Sequence, residues 1–169
     1  MIVYIVRHGI AQEPHQQGVR SDAERSLTKE GRERTREVAR GLRALDCKPD
    51  RVASSPHRRA EETARIMAEV LNADATVELC DFLTPERDPG DAVAWLQKLS
   101  EESIMVVGHM PDVNILASVL LAGRADIEIE FKKAAVCCIR FEDRTRAGAG
   151  ALEWLLQPGQ LRALAAAER

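Results

Sequence analysis

Short apolar runs alternate with longer segments of helical periodicity along the chain. The runs have the length and β-branched composition of buried strands, whereas in the longer segments apolar residues recur every three or four positions. The pattern predicts strands over Ile2–Val6, Arg51–Ser54, Thr76–Leu79, Ile104–Val107, Ala135–Phe141 and Ala151–Leu156. It predicts helices from Thr28 to about Leu45, from Ser55-Pro56 to Leu71, over Ala92–Leu99, from Pro111 to Leu121, and in the Ala-rich tail from Gln160.

Two segments are interpreted from their turn and cap residues. Ser55 followed by Pro56 is typical of a helix start, with a capping hydroxyl before proline at the first helical position. Leu83–Asp91 contains two prolines and one glycine, which predicts a loop.

The alternation of strands and helices predicts a three-layer α/β/α fold around a mainly parallel sheet. The last two strands follow one another through the Gly-rich turn Arg146–Gly150 and are expected to add an antiparallel edge. The length of 169 residues fits one domain over residues 1–169. Strand order does not follow from this pattern.

Composition excludes several classes of function. The formal net charge of -3 gives no basic excess for nucleic-acid binding, and no apolar run is long enough to cross a membrane or to act as a signal peptide. The four cysteines form no CxxC pair and no metal-type spacing with histidine. We therefore expect a cytoplasmic protein with reduced thiols, acting on neither nucleic acid nor membrane.

Histidine, arginine and glycine follow three of the predicted strands. Arg7-His8-Gly9 follows the first, Ser54 to Arg59 follows the second, and Gly108-His109 follows Ile104–Val107. Because the carboxyl ends of parallel strands share one edge of a sheet, we expect these groups to converge. The guanidinium groups of arginine and the N-termini of helices bind anions such as phosphate. A neutral imidazole is a competent nucleophile toward phosphorus. The set indicates phosphoryl chemistry.

Four blocks in this order resemble the histidine phosphatase superfamily, the phosphoglycerate-mutase-like proteins. They are Arg7-His8-Gly9, Arg25-Ser26-Leu27-Thr28-Lys29-Glu30-Gly31, Ser54-Ser55-Pro56-His57-Arg58-Arg59-Ala60-Glu61-Glu62-Thr63 and Gly108-His109-Met110-Pro111. The resemblance covers residues 1–121 and is greatest to the small SixA-type branch of bacterial phosphohistidine phosphatases. It implies a phosphoglycerate-mutase-like fold.

The resemblance also implies the roles of individual residues. His8 matches the nucleophile, Arg7 and Arg59 match the two phosphate-binding arginines, His109 matches the second histidine that donates to the phosphoryl group, and Arg25 matches an arginine that lines the pocket. Gly9 permits close backbone approach. No metal or cofactor is expected, since arginines supply the positive charge. His8 should keep one nitrogen free while the other donates to a backbone carbonyl.

The expected substrate is a phosphohistidine in another protein, such as a phosphotransfer domain. Phosphoaspartate, small phosphoesters and a non-catalytic phosphoprotein-binding module remain alternatives, whereas a mutase would need large cap insertions. Glu86, Asp88 and Asp91 are candidates for a general acid, or are solvated loop carboxylates. His57 could touch substrate at the rim of the pocket, but a surface position is favoured, and we expect Arg58 to be a surface ion-pair partner. Segments His15–Glu24 and Leu83–Asp91 should form the walls above the pocket.

Overall fold

The computed structural model describes residues 1–16, 18–71 and 76–167. Its strands are β1 (Ile2–Arg7), β2 (Arg51–Ser54), β3 (Val77–Leu79), β4 (Ser103–Gly108), β5 (Val136–Arg140) and β6 (Ala151–Leu156). Its helices are α1 (Lys29–Ala44), α2 (Arg58–Val70), α3 (Pro89–Leu96), α4 (Asp112–Ala122) and α5 (Pro158–Ala167), and two short 3-10 turns cover Asp22–Glu24 and Asp81–Leu83.

The six strands form one sheet in the order β3-β2-β4-β1-β5-β6. Strands β1 to β4 run parallel, β5 runs antiparallel to β1, and β6 runs antiparallel to β5. The mainly parallel sheet with an antiparallel pair at one edge is confirmed.

Alternation along the central strand β1 separates two hydrophobic cores. Val3 and Ile5 pack on the side of α3 and α4, whereas Tyr4 and Val6 pack on the side of α1, α2 and α5. Both faces of the sheet are therefore covered by helices, as predicted for three layers. Each fully buried aliphatic side chain contributes about 1.5–3 kcal/mol to this arrangement.

Helix α2 begins at Arg58, with His57 as its N-cap, so the predicted start at Ser55-Pro56 is wrong. Ser55 still belongs to the sheet edge, because its backbone N–H donates to the carbonyl of Val107 at 3.0 Å. Its hydroxyl accepts a hydrogen bond from the backbone N–H of His57 at 3.2 Å. The hydroxyl therefore closes a turn ahead of the helix.

Helix α3 begins earlier and ends earlier than predicted. Its first residue is Pro89, and the Asp88 side chain caps it by accepting from the Gly90 N–H at 2.8 Å. The acidic cap and the proline at the first position outweigh the loop tendency of Leu83–Asp91. None of the helices in the described residues is long and apolar enough to span a membrane.

The parallel strands bring the chemical groups to one edge. Arg7 pairs with Gly108 at the ends of β1 and β4, and Ser54 pairs with Val107 at the ends of β2 and β4. The residues that follow these strand ends must leave the sheet side by side.

Candidate active site

Three histidine rings meet where β1, β2 and β4 end. The ring centroids of His8 and His109 are 5.2 Å apart, and those of His57 and His109 are 5.1 Å apart. His8 is 7% exposed and His109 is 2% exposed. The expected convergence of His8 and His109 is present in the structure.

The two ring nitrogens of His8 have different partners. Nδ1 lies 2.7 Å from the carbonyl oxygen of Gly9, which only accepts, so Nδ1 carries the proton. Nε2 therefore has the lone pair, and it accepts from Nε of Arg59 at 3.3 Å. The contact with a backbone carbonyl that the sequence analysis expected fixes this tautomer.

Burial keeps both His8 and His109 neutral. Burial, assisted by the positive charges of Arg59 and Arg7 and opposed by the Gly9 carbonyl, lowers the pKa of His8 to about 3. Burial and the nearby Arg59 lower the pKa of His109 to about 2. Near neutral pH the Nε2 lone pair of His8 is therefore free of a proton.

Of the two expected phosphate arginines, Arg59 contacts the His8 ring, and Arg7 is near enough for its positive charge to lower the pKa of His8. Arg59 is 5% exposed and contacts His8 directly. Arg7 donates to the carbonyl of Phe131 at 2.6 Å, while its Nε is buried with no hydrogen-bond partner in the described chain. Burial lowers the pKa of both guanidinium groups, which nevertheless remain charged at physiological pH.

Asp22 is part of this cluster, and the sequence analysis missed it. Its Oδ2 accepts from Nη2 of Arg59 at 2.9 Å, and its backbone carbonyl accepts from Nη1 of the same residue at 2.7 Å. Its Oδ1 accepts from Nη1 of Arg25 at 2.8 Å. Partial burial opposes ionisation, but these bonds from Arg25 and Arg59 lower the pKa of Asp22 overall. The sequence carries one signal, an acidic residue three positions before Arg25.

Arg25 reaches the cluster through Asp22. Its side chain is 14% exposed and its Nε donates to the carbonyl of Gln12 at 2.6 Å. No direct contact joins Arg25 to His8 within the described residues, so a part in phosphate binding stays a prediction.

Gly9 lies in a space that admits no side chain. Its N–H donates to Oγ1 of Thr63 at 3.0 Å, and a Cβ at this position would come within 2.5 Å of Oγ1 of Thr35. The close backbone approach expected at Gly9 is therefore to the protein itself, and a contact with substrate stays a prediction.

The prediction of a surface position for His57 is wrong. Its side chain is only 20% exposed, its ring lies edge-on to His109, and its Nδ1 is 3.7 Å from Oδ2 of Asp22. His57 is the N-cap residue of α2, and at this position its side chain lies near the strand ends. Arg58, in contrast, pairs with Oε1 of Glu62 at 3.1 Å near the surface, as predicted.

The three loop carboxylates are all exposed. Asp88 serves as the cap of α3, and Asp91 lies in the first turn of that helix. Glu86 has a positive φ of 65° and its backbone N–H donates to Oδ1 of Asp112 at 3.2 Å. A contact between any of these carboxylates and His8 does not occur in the described part of the chain, so a general-acid role stays a prediction.

Known proteins that resemble this chain show which family it belongs to. The model of the histidine phosphatase superfamily (branch 1) matches residues 3–94. Phosphohistidine phosphatase SixA of Escherichia coli (strain K12) is 32% identical over 165 residues, covering 96% of this chain and 97% of SixA. This chain belongs to the histidine phosphatase superfamily. It is a hydrolase with a histidine nucleophile, which sets aside the binding-module alternative.

Solved structures of other proteins share the fold of this histidine phosphatase. The protein histidine phosphatase SixA complexed with tungstate superposes with a TM-score of 0.83 at 31% identity, covering 95% of this chain and 99% of that one. A phosphoglycerate mutase from Bacillus anthracis str. Sterne gives a TM-score of 0.66 at 17% identity, covering 98% and 96%. The fold is therefore phosphoglycerate-mutase-like, and the similarity extends past residue 121 into the C-terminal strands.

Proposed function

We propose that this phosphatase removes the phosphoryl group from phosphohistidine in another protein, through a phosphohistidine formed on His8 and without a metal ion. One observation carries the proposal most directly. The Gly9 carbonyl holds the proton of His8 on Nδ1 at 2.7 Å, which leaves the Nε2 lone pair beside Arg59. That lone pair is the nucleophile.

In the first step, Nε2 of His8 attacks phosphorus in line with the bond to the leaving nitrogen. A P–N bond forms to His8, the substrate P–N bond breaks, and its electron pair stays on the substrate imidazole. The His8 ring then carries a positive charge, which the Gly9 carbonyl stabilises through Nδ1–H. In the second step, water attacks phosphorus, the electron pair returns to Nε2, and phosphate leaves.

Positive charge for both steps comes from arginine. Arg7 and Arg59 would hold the phosphoryl oxygens, and His109 would donate a further hydrogen bond. Arg25 would add charge from behind Asp22, which it contacts at 2.8 Å. Guanidinium groups thus supply what a metal ion supplies in other phosphatases, and this is our reason for proposing a metal-independent reaction.

Two features support a protein as the substrate. The Asp22 side chain, directly bonded to Arg59, is 53% exposed, so the mouth of the cluster is accessible to a macromolecule. An imidazole leaving group also needs less protonation than an alkoxide, because it leaves neutral when its other nitrogen carries a proton. Asp88 caps α3, and Glu86 and Asp91 are exposed. These positions fit a leaving group that has little need of a general acid from the protein. The relationship to a phosphohistidine phosphatase, SixA, adds support.

This phosphatase would act in the cytoplasm. All four cysteines are buried free thiols, which suits a reducing compartment. Burial raises the pKa of the Cys137 thiol to about 12, so it remains protonated and unreactive.

The test compares hydrolysis of a phosphohistidine-bearing phosphotransfer protein, an acyl phosphate and p-nitrophenyl phosphate, all in excess EDTA. Wild type should prefer the phosphohistidine protein, and His8→Ala should lose activity on every substrate. Lys98→Ala, which changes an exposed residue outside the cluster and outside both predicted walls, is the control and should behave as wild type. Activity that survives in His8→Ala would contradict the nucleophile assignment. Loss of wild-type activity in EDTA would contradict metal independence, and preference for p-nitrophenyl phosphate would favour small phosphoesters.

A further inference from the structure

The two ring nitrogens of His109 are unequally satisfied. Nε2 lies 2.8 Å from Oγ of Ser55, whereas Nδ1 is buried and has no hydrogen-bond partner in the described chain. The residue is 2% exposed, so water does not compensate freely at its surface. A buried polar group without a partner is uncommon and costs about 1–3 kcal/mol unless a ligand satisfies it.

The hydroxyl of Ser55 shows which nitrogen carries the proton. Ser55 is completely buried, and its Oγ already accepts from the backbone N–H of His57 at 3.2 Å. The hydroxyl has one hydrogen, and within the described residues its only acceptor is Nε2 of His109. In this arrangement Nε2 accepts, and the proton of the neutral ring is on Nδ1.

The opposite tautomer leaves more groups unsatisfied. If Nε2–H of His109 donated to Ser55, the serine hydrogen would have no acceptor and the Nδ1 lone pair would have no donor. Two buried polar groups would then be unpaired instead of one. The single unpaired group of the favoured arrangement is a donor, which a phosphoryl oxygen would satisfy.

We infer that Ser55 is a positioning residue, whose hydroxyl holds the proton of His109 on Nδ1 so that Nδ1–H faces the phosphoryl group. This inference rests on the proposed role of His109 in phosphoryl binding. Without the serine, the ring would be free to place its proton on Nε2. The Nδ1 lone pair would then face an anionic oxygen, and one donor to the transition state would be lost.

The backbone holds Ser55 rigidly for this task. Its N–H donates to the carbonyl of Val107 at 3.0 Å, and its own carbonyl accepts from Oγ of Ser54 at 2.9 Å. Helix α2 begins only at Arg58, so the Ser55 hydroxyl is not used as a helix cap. The same short segment thus places Ser55 against His109 and Arg59 against His8.

Nitrogen-15 NMR of the histidine rings measures the tautomer directly, in the resting protein and without turnover. His109 signals are assigned by their loss in His109→Gln. Wild type should show His109 as the Nδ1–H tautomer near pH 7.5, and Ser55→Ala should shift it toward Nε2–H. Ser118→Ala is the matched control, because it removes an equally buried hydroxyl that bonds Arg124 and Ile127 instead of the histidine cluster, and it should leave the His109 signals unchanged.

Phosphatase activity and orthovanadate binding provide a second measurement. Ser55→Ala should lower kcat/KM by at least about 10-fold, up to the roughly 10²–10³-fold effect of a lost oxyanion donor, and should weaken orthovanadate binding; Ser118→Ala should do neither. A wild-type spectrum with His109 as Nε2–H overturns the inference, whether or not Ser55→Ala folds. An Nδ1–H signal in a protein that lacks phosphatase activity would support the tautomer assignment and contradict the proposed function.

Discussion

Acid should destabilise this protein through its two buried neutral histidines. Burial first, and Arg59 next, lower the pKa of His8 to about 3 and that of His109 to about 2 in the folded state. The unfolded chain titrates near the ordinary value of about 6.5. Because the unfolded state binds these protons first, stability is fully present above about pH 6.5 and is lost as pH falls toward 3.

The size of the effect between pH 7 and pH 5 does not depend on the folded-state values, provided that both lie well below 5. An unfolded imidazole is about one-quarter protonated at pH 7 and almost fully protonated at pH 5, which by linkage costs about 1.9 kcal/mol for each histidine. His8 and His109 together should therefore lower the free energy of unfolding by about 4 kcal/mol. This loss is a large part of the total free energy of unfolding of a typical protein, which is about 5–15 kcal/mol.

Urea denaturation at pH 7, 6 and 5 measures this loss. His8→Asn and His109→Asn should each reduce the pH-dependent loss by about 2 kcal/mol, whatever each substitution costs at pH 7. Comparing variants cancels the contributions of carboxylates and of His57. His15→Asn changes an exposed histidine and should keep the wild-type dependence. If both buried-site variants kept the full dependence, the two rings would not be neutral in the folded protein, and the availability of the Nε2 lone pair would have to be reconsidered.

Three further changes test the packing and charge of the site. Gly41→Ala should lower stability by about 1–3 kcal/mol in urea melts, because its Cβ would overlap the carbonyl oxygen of Leu161 where α1 packs on α5; unchanged stability would contradict this. Arg59→Lys should lower kcat/KM about 100-fold, since lysine cannot bond His8 and Asp22 together; wild-type kinetics would refute it. Asp22→Asn should tighten orthovanadate binding about 3- to 10-fold by calorimetry, because a negative charge beside Arg59 is removed; weaker binding would mean that Asp22 orients Arg59.

The residues at strand ends were predictable because a parallel sheet dictates their meeting. Once the apolar runs ending at Val6 and Val107 are taken as parallel strands, the following His8 and His109 must emerge at one edge. Strand order was not predictable, since β4 lies between β1 and β2 through pairings distant in sequence. Local pattern carries no information about which distant strands pair.

The residues that the sequence analysis missed share a physical cause. Asp22 lies in an irregular polar segment with a short 3-10 turn, where no periodicity marks which side chain faces inward. It contacts Arg59, 37 positions away. Ser55 was misinterpreted because a serine before proline favours a helix cap by local statistics, whereas its backbone pairing with Val107 keeps it at the sheet edge. Tertiary contacts decided both positions.

The charges of the cluster explain why two arginines and two neutral histidines belong together. Arg7 and Arg59 would attract the phosphoryl dianion, and the same positive charges help to keep the proton off Nε2 of His8. A protonated His8 would bind phosphate more strongly but could not attack it, because its lone pair would be occupied. In the resting site Asp22 offsets part of this positive charge through its bonds to Arg59 and Arg25. In the proposed mechanism the same cations would therefore serve both substrate binding and nucleophile activation.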